Sequence, residues 1–250
     1  VYHGPSGIRD IATRIHNATR LLAAALADLG LKVHHDDVFD TLRVSSENME
    51  AILKHAEQTK INLRSFEDGS VGIALDETVF ESDQADLLEV FGCVDGAARV
   101  AALSASMDSG YAGECPRKEA FMTHPVFSDH HSEAALTRYM HKLAKKDLSL
   151  TTSMIALGSC TMKLNAVAEL MPITMPAFNQ LHPFAPANQA EGYHEMMAEL
   201  RNWLNEITGF SATSLQPNSG ASGEYAGLLL IRAYHESRGE GERNICIIPS

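Results

Sequence analysis

Residues 158–165 read GSCTMKLN and set Ser159, Cys160, Thr161 and Lys163 almost side by side between the apolar stretches SMIAL and AVAELM. Two hydroxyls, a thiol and an ammonium in that setting have two readings. Either the segment is an ordinary surface loop, or its polar groups face inward toward a polar reactant. A desolvated lysine amine can become nucleophilic, but the ordinary state of a loop lysine is solvated, so a charge role for Lys163 is favoured over a covalent one. A regulatory role for Cys160 would require exposure and a depressed pKa.

A second run able to do chemistry is QPNSGASG, residues 216–223, between ATSL and EYAGLLLIRAYHES. A small-residue loop opening a helix leaves backbone N–H groups unpaired at the positive end of the helix dipole, so an anion can sit there. Ser219, Gly220, Ala221 and Ser222 are the candidates. The same pattern also fits a purely structural N-cap loop, and no GxGxxG is present to decide between them. His124, His130 and His131 fall within eight residues. No carboxylate or cysteine lies at a regular ligand spacing from them, so no metal site is assigned. His182, in LHPF, either lines a cleft or packs.

The elements that must carry these groups can be read from periodicity. Ile8, Ile11, Ile15, Ala18, Leu22, Ala25, Leu26 and Leu29 recur at helical spacing, with Gly30 as a stop. VFDTLRV reads as a strand. ENMEAILKHAEQTK reads as a helix capped by Ser45 or Ser46. INLRSF and VGIAL form a hairpin around Asp68-Gly69. Ser82 opens a further helix over DQADLLEVF. This order of helix, strand, helix, hairpin and helix describes a small α+β layer. Residues 93–120 lose their period and read as a linker with room for a short helix, so a domain boundary is set at 112/113.

Beyond it, Ser132 caps a helix over HSEAALTRYMHKLAKKD, and Pro172, Pro176, Pro183 and Pro186 bend an extended path. Tyr193, Met196, Met197, Leu200, Trp203, Leu204 and Ile207 mark a helix ending at Thr208-Gly209, and this apolar stripe reads as core. ATSL and NICIIP, flanking the helix after the Gly/Ser loop, read as two buried parallel strands joined by a right-handed crossover.

Composition limits the partners. The chain of 250 residues has 45% hydrophobic and 21% charged residues, ordinary globular values, and 32 acidic against 20 basic side chains give a net charge of −12. That balance argues against nucleic-acid binding, which needs a Lys/Arg surplus. The four cysteines form no CxxC, suggesting neither zinc nor a disulfide framework. No apolar run approaches the roughly 18–20 residues of a membrane-spanning helix. The chain begins with Val rather than Met and stops within a strand-like segment, so a piece of a longer protein is expected.

GSCTMKLN, LHPF, QAEGYHEMMAELRNWLNEITGF and QPNSGASGEYAGLLLIRAYHESRGEG together resemble the glycine dehydrogenase (decarboxylating) family, the P-proteins of the glycine cleavage system. The resemblance runs along the whole chain and is most specific over 155–250. It implies an α/β fold of the pyridoxal-phosphate-dependent transferase type (fold type I, aminotransferase-like), truncated here to a small α+β domain and the start of a parallel-sheet large domain. It further implies that residues 1–112 are the small C-terminal domain of a first half and that 113–250 open a second, cofactor-bearing half, so that the chain is an internal fragment.

The implied activity is decarboxylation of glycine with the pyridoxal 5'-phosphate ring as electron sink. The aminomethyl group then passes to the lipoyl arm of H-protein. Residue by residue, Asn218, Ser219, Gly220 and Ala221 match the family's cofactor-phosphate loop. Ser159, Cys160, Thr161 and Lys163 match a loop beside the active site, with hydroxyl donors for cofactor or glycine carboxylate and positive potential from Lys163. The Schiff-base lysine is expected beyond residue 250, so this chain alone is expected to be inactive. A homodimer at full length and a bacterial cytoplasmic location, or the mitochondrial matrix in a eukaryote, are the remaining implications. The competing class is a non-catalytic binding or scaffold module in which the Gly/Ser loop merely caps a helix.

Overall fold

A computed structural model describes residues 1–111, 116–146 and 166–248. The chain divides into two compact units, Val1–Asp147 and Leu148–Ser250. The first opens with α1 (Gly4–Asp28), whose Pro5 sits in the first turn, where its missing N–H costs nothing. Leu22, Ala25 and Leu26 are buried at the expected spacing, and the chain leaves the helix through Leu29 and Gly30.

Four short strands follow: β1 (Lys32–Val33), β2 (Thr41–Ser45), β3 (Arg64–Ser65) and β4 (Val71–Ala74). They form one antiparallel sheet in the order β1-β2-β4-β3, with Leu42 opposite Ile73 and Val44 opposite Val71. Period-2 alternation puts Leu42 and Val44 inward. These two meet Leu22 and Leu26 of α1 and Leu88 of α3 (Glu81–Val90) in a core from which solvent is excluded. Burying each such side chain contributes about 1.5–3 kcal/mol, so this core is a main source of the unit's stability.

The helices differ from expectation mainly at their starts. α2 (Met49–Gln58) is entered through Asn48, and the Ser46 hydroxyl instead accepts from the Asn48 amide at 3.3 Å. α3 begins before Ser82, because the Asp83 carboxylate reaches back to accept the Phe80 amide at 2.7 Å. The expected linker contains a full helix, α4 (Gly96–Ser106), started by Asp95 accepting from the Ala98 amide at 2.9 Å. Gly96 permits α4 to lie directly on α3: a Cβ there would stand 2.3 Å from the Ala85 carbonyl oxygen. Arg99 of α4 pairs with Asp28 at the end of α1.

α5 (Glu133–Ala144) starts as expected at Ser132, whose hydroxyl accepts from the Ala135 amide at 3.2 Å. Residues before it return to the start of the chain. His131 Nδ1 donates to the Tyr2 carbonyl at 2.7 Å, and Gly4, at φ +63°, leaves room for the His131 ring and the Phe127 carbonyl. The division at 147/148 by contact therefore differs from the expected 112/113 boundary, since 116–146 packs with the first unit.

In the second unit, prolines break residues 166–190 into short turns that include α6 (Val167–Leu170) and α7 (Pro176–Asn179). The Tyr193 hydroxyl donates to the Phe178 carbonyl, tying this path to α8 (Glu191–Thr208), which ends in a left-handed Gly209 at φ 74°. α9 (Gly220–Ser237) follows. No helix among the described residues is long and apolar enough to cross a membrane.

Two expectations are corrected here. Residues 212–215 and 244–248 are not strands, so no parallel sheet is formed among the described residues, and the described sheet is wholly antiparallel. A strand exists only by pairing with a neighbour, and Ile245, Ile247 and Ile248 remain 77–93% exposed. The stripe on α8 is likewise not core: Met196, Leu200, Trp203 and Ile207 are all exposed. Helical spacing identifies the face that seeks cover, but nothing described in this unit supplies it.

Candidate functional site

The most chemically defined feature of the second unit is the start of α9. Thr213 donates its hydroxyl to Asn205 Oδ1 at 2.6 Å, which fixes the approach to the loop against α8. Ser219 then adopts an extended backbone, φ −157° and ψ 168°, and its hydroxyl accepts from the Ser222 amide at 3.2 Å. The Ser219 hydroxyl also donates to Ser222 Oγ at 3.1 Å, and the Gly223 amide donates to the Ser219 carbonyl at 2.9 Å. An α-helix leaves its first amides without intrahelical acceptors. Those of Gly220 and Ala221 are the ones left at this mouth.

The electrostatics agree. α9 has 18 residues and no acidic side chain in its first turn, so no carboxylate competes with an incoming anion for the positive end of its dipole. Asn218, Ser219, Gly220 and Ala221 are all exposed and consecutive around this mouth. A phosphate fits the donors left open there, two backbone amides and the Asn218 side-chain amide, while the Ser219 hydroxyl, already given to Ser222 Oγ, shapes the mouth. The supporting Thr213–Asn205 bond is not legible in sequence, because it needs the loop and α8 to be placed in space first. Ser159, Cys160, Thr161 and Lys163 lie outside the described residues.

The histidines have local structural roles. His124 Nδ1 accepts from the Val126 amide at 3.1 Å, and His182 Nδ1 accepts from the Phe184 amide at 3.0 Å. His130 stacks on Tyr139 at 4.3 Å between ring centroids, and His131 holds Tyr2 as described. Among the described residues no group of three or more His, Cys, Asp or Glu side chains is arranged to hold a metal ion.

Comparison with known proteins agrees with the resemblance carried by the motifs. A family model described as "Glycine cleavage system P-protein" matches residues 1–91. Over its whole length the chain is 55% identical to a glycine dehydrogenase (decarboxylating) of Thermosynechococcus vestitus. It is 51% identical to one of Nostoc punctiforme and 52% identical to one of Sodalis glossinidius. It covers 26% of each of these relatives. The chain is thus similar along its whole length to glycine dehydrogenases (decarboxylating), matches the glycine cleavage system P-protein family over residues 1–91, and spans about a quarter of the length of the relatives it matches.

Proposed function

We propose that this chain contributes the phosphate-binding part of the cofactor site in a glycine-decarboxylating P-protein of the fold-type I class. The single observation that carries the assignment is the acid-free mouth of α9, where Ser219 caps the helix and the amides of Gly220 and Ala221 have no helical acceptor. Asn218, Ser219, Gly220 and Ala221 would hold the phosphate of pyridoxal 5'-phosphate. When bound, that cofactor supplies an electron sink for the charge left on glycine as CO2 departs. The chain's own task is to anchor and orient the phosphate, so that the reacting end is fixed at a set distance from α9.

In the same reading, Ser159 and Thr161 donate hydrogen bonds to the cofactor or the glycine carboxylate, Cys160 lies between them, and Lys163 adds positive potential. The apolar flanks of that loop would keep water from the reaction. Residues 1–112 form the small domain of a first half, and 113–250 form the arm and beginning of a second. An arm that reaches back over the preceding domain is consistent with the packing of His131 on Tyr2. Glycine and the lipoyl arm of H-protein are the reactants, the full-length protein is a homodimer, and the bacterial relatives support a cytoplasmic setting. A non-catalytic module is not favoured, since the relatives carry an enzyme's name.

The test uses the full-length protein containing this stretch. Release of labelled CO2 from carboxyl-labelled glycine is expected to require both pyridoxal phosphate and lipoylated H-protein. Release without either, or none with both, would refute the reading. Replacing Ser159 and Thr161 together by Ala is expected to slow glycine exchange; an unchanged rate removes the loop from the site.

A further inference from the structure

Between α1, the start of α3 and the end of α4, the first unit contains a cleft of about 880 Å³. Its floor is apolar, with buried Leu21 and Val100 beside Val79. Gln84 lines it from α3, is 5% exposed, and has its Oε1 buried with no hydrogen-bond partner among the described residues. Buried acceptors in folded proteins are nearly always paired, so this oxygen calls for an N–H or O–H donor.

The rim is acidic. Asp10, Glu81 and Asp108 border the cleft, and none of them has an ion-pair partner among the described residues. Among the described lining residues the cation is Arg14, which already donates to the Glu77 carbonyl at 2.7 Å and lies 5.8 Å from the Phe80 ring centre, and Arg20 beside the rim is held by the Asp108 carbonyl at 3.0 Å. The cleft therefore favours a cation and repels anions, which sets its chemistry apart from that of the α9 mouth.

We propose that this cleft receives a segment of the remaining P-protein polypeptide, one that lays a lysine or arginine across the acidic rim and turns a donor toward Gln84. Three observations support that occupant: the orphaned acceptor, the uncompensated carboxylates, and the chain's coverage of only 26% of its relatives. A free amine could supply the charge, but an apolar floor shared by three helices suits an amphipathic segment better. The inference rests on the reading that the chain is part of a longer P-protein.

Hydrogen exchange of this chain and of the full-length protein tests it, each as the natural sequence and with Gln84→Met. Amides 79–84 and 104–107 are expected to exchange at least about tenfold more slowly in the full-length protein. Gln84→Met removes the orphaned acceptor at similar volume, so it should raise the melting temperature of this chain by roughly 2–4 °C. In the full-length protein the same change should speed exchange at those amides, because there it removes a made hydrogen bond. Asp10→Asn, at an exposed position, should speed exchange only in the full-length protein. Equal exchange in the two natural sequences would overturn the proposal, whether water or a small amine meets Gln84, and so would a Gln84→Met effect of one sign in both. Glycine decarboxylation by the unsubstituted full-length protein is measured alongside. Its absence would count against the functional reading and leave the exchange comparison intact.

Discussion

Ser219 has a structural role that can be separated from any ligand. Its hydroxyl takes up the Ser222 amide, so Ser219→Ala should destabilise α9 by about 1 kcal/mol, measured as lost helicity on thermal melting. Gly4 is a second sensitive position. At φ +63°, with a Cβ that would stand 2.6 Å from both His131 Cε1 and the Phe127 carbonyl oxygen, Gly4→Ala should cost about 1–3 kcal/mol in denaturant unfolding. An unchanged midpoint would show that 124–132 does not lie on the start of α1. Local capping was partly legible in sequence: Ser132 starts α5 as read. Ser46 and Ser82 do not start their helices: α2 is entered through Asn48, whose side chain caps no amide, and α3 opens at Glu81 with Asp83 accepting the Phe80 amide. The His131–Tyr2 contact spans 129 positions, and no local rule could announce it.

At the level of elements, the hairpin of β3 and β4 was readable from its turn chemistry, Asp68-Gly69 between two apolar runs, with Gly69 at φ +78°. Asp68 in that turn is held below the ordinary carboxylate range by the Ser70 hydroxyl and amide, with Arg43 adding its charge. Since the fold favours the ionised form, this contribution is complete above the ordinary carboxylate pKa. It is lost as pH falls through the lowered folded value, below about pH 4. Hairpin amides should therefore lose exchange protection in that acid window, and Asp68→Asn should flatten part of the dependence. Asp76, lowered in the same direction by the Thr78 hydroxyl and amide, would account for a remainder. A profile unaffected by Asp68→Asn would exclude Asp68 from the turn's stability. The strands expected after the linker are missing over the described residues 212–215 and 244–248 for the opposite reason. Their apolar runs state a preference for burial, while a parallel ladder depends on partners that a local pattern cannot provide.

At the scale of the whole chain, a net charge of −12 means that this stretch adds no overall field to draw a phosphorylated cofactor in, so in the proposed reading the attraction is local to the α9 mouth. The second unit also presents Leu228, Leu229, Leu230 and Ile231 of α9 at 48–69% exposure, in addition to the open stripe on α8. A helix apolar on several sides is a helix that belongs inside a larger body. This chain should accordingly bind an apolar dye such as anilinonaphthalene sulfonate more strongly than the full-length protein does, and equal binding would deny that these faces are covered there. The central claim, that the amides at the start of α9 hold the cofactor phosphate, has a direct test in Gly220→Pro. Proline is tolerated at the first helical position and the extended Ser219 suits a following proline, so the change deletes one N–H and keeps the helix. Pyridoxal phosphate affinity of the full-length protein, titrated by absorbance, should fall about 10- to 100-fold, as expected for one hydrogen bond to a charged group. An unchanged affinity with an intact helix would contradict the account.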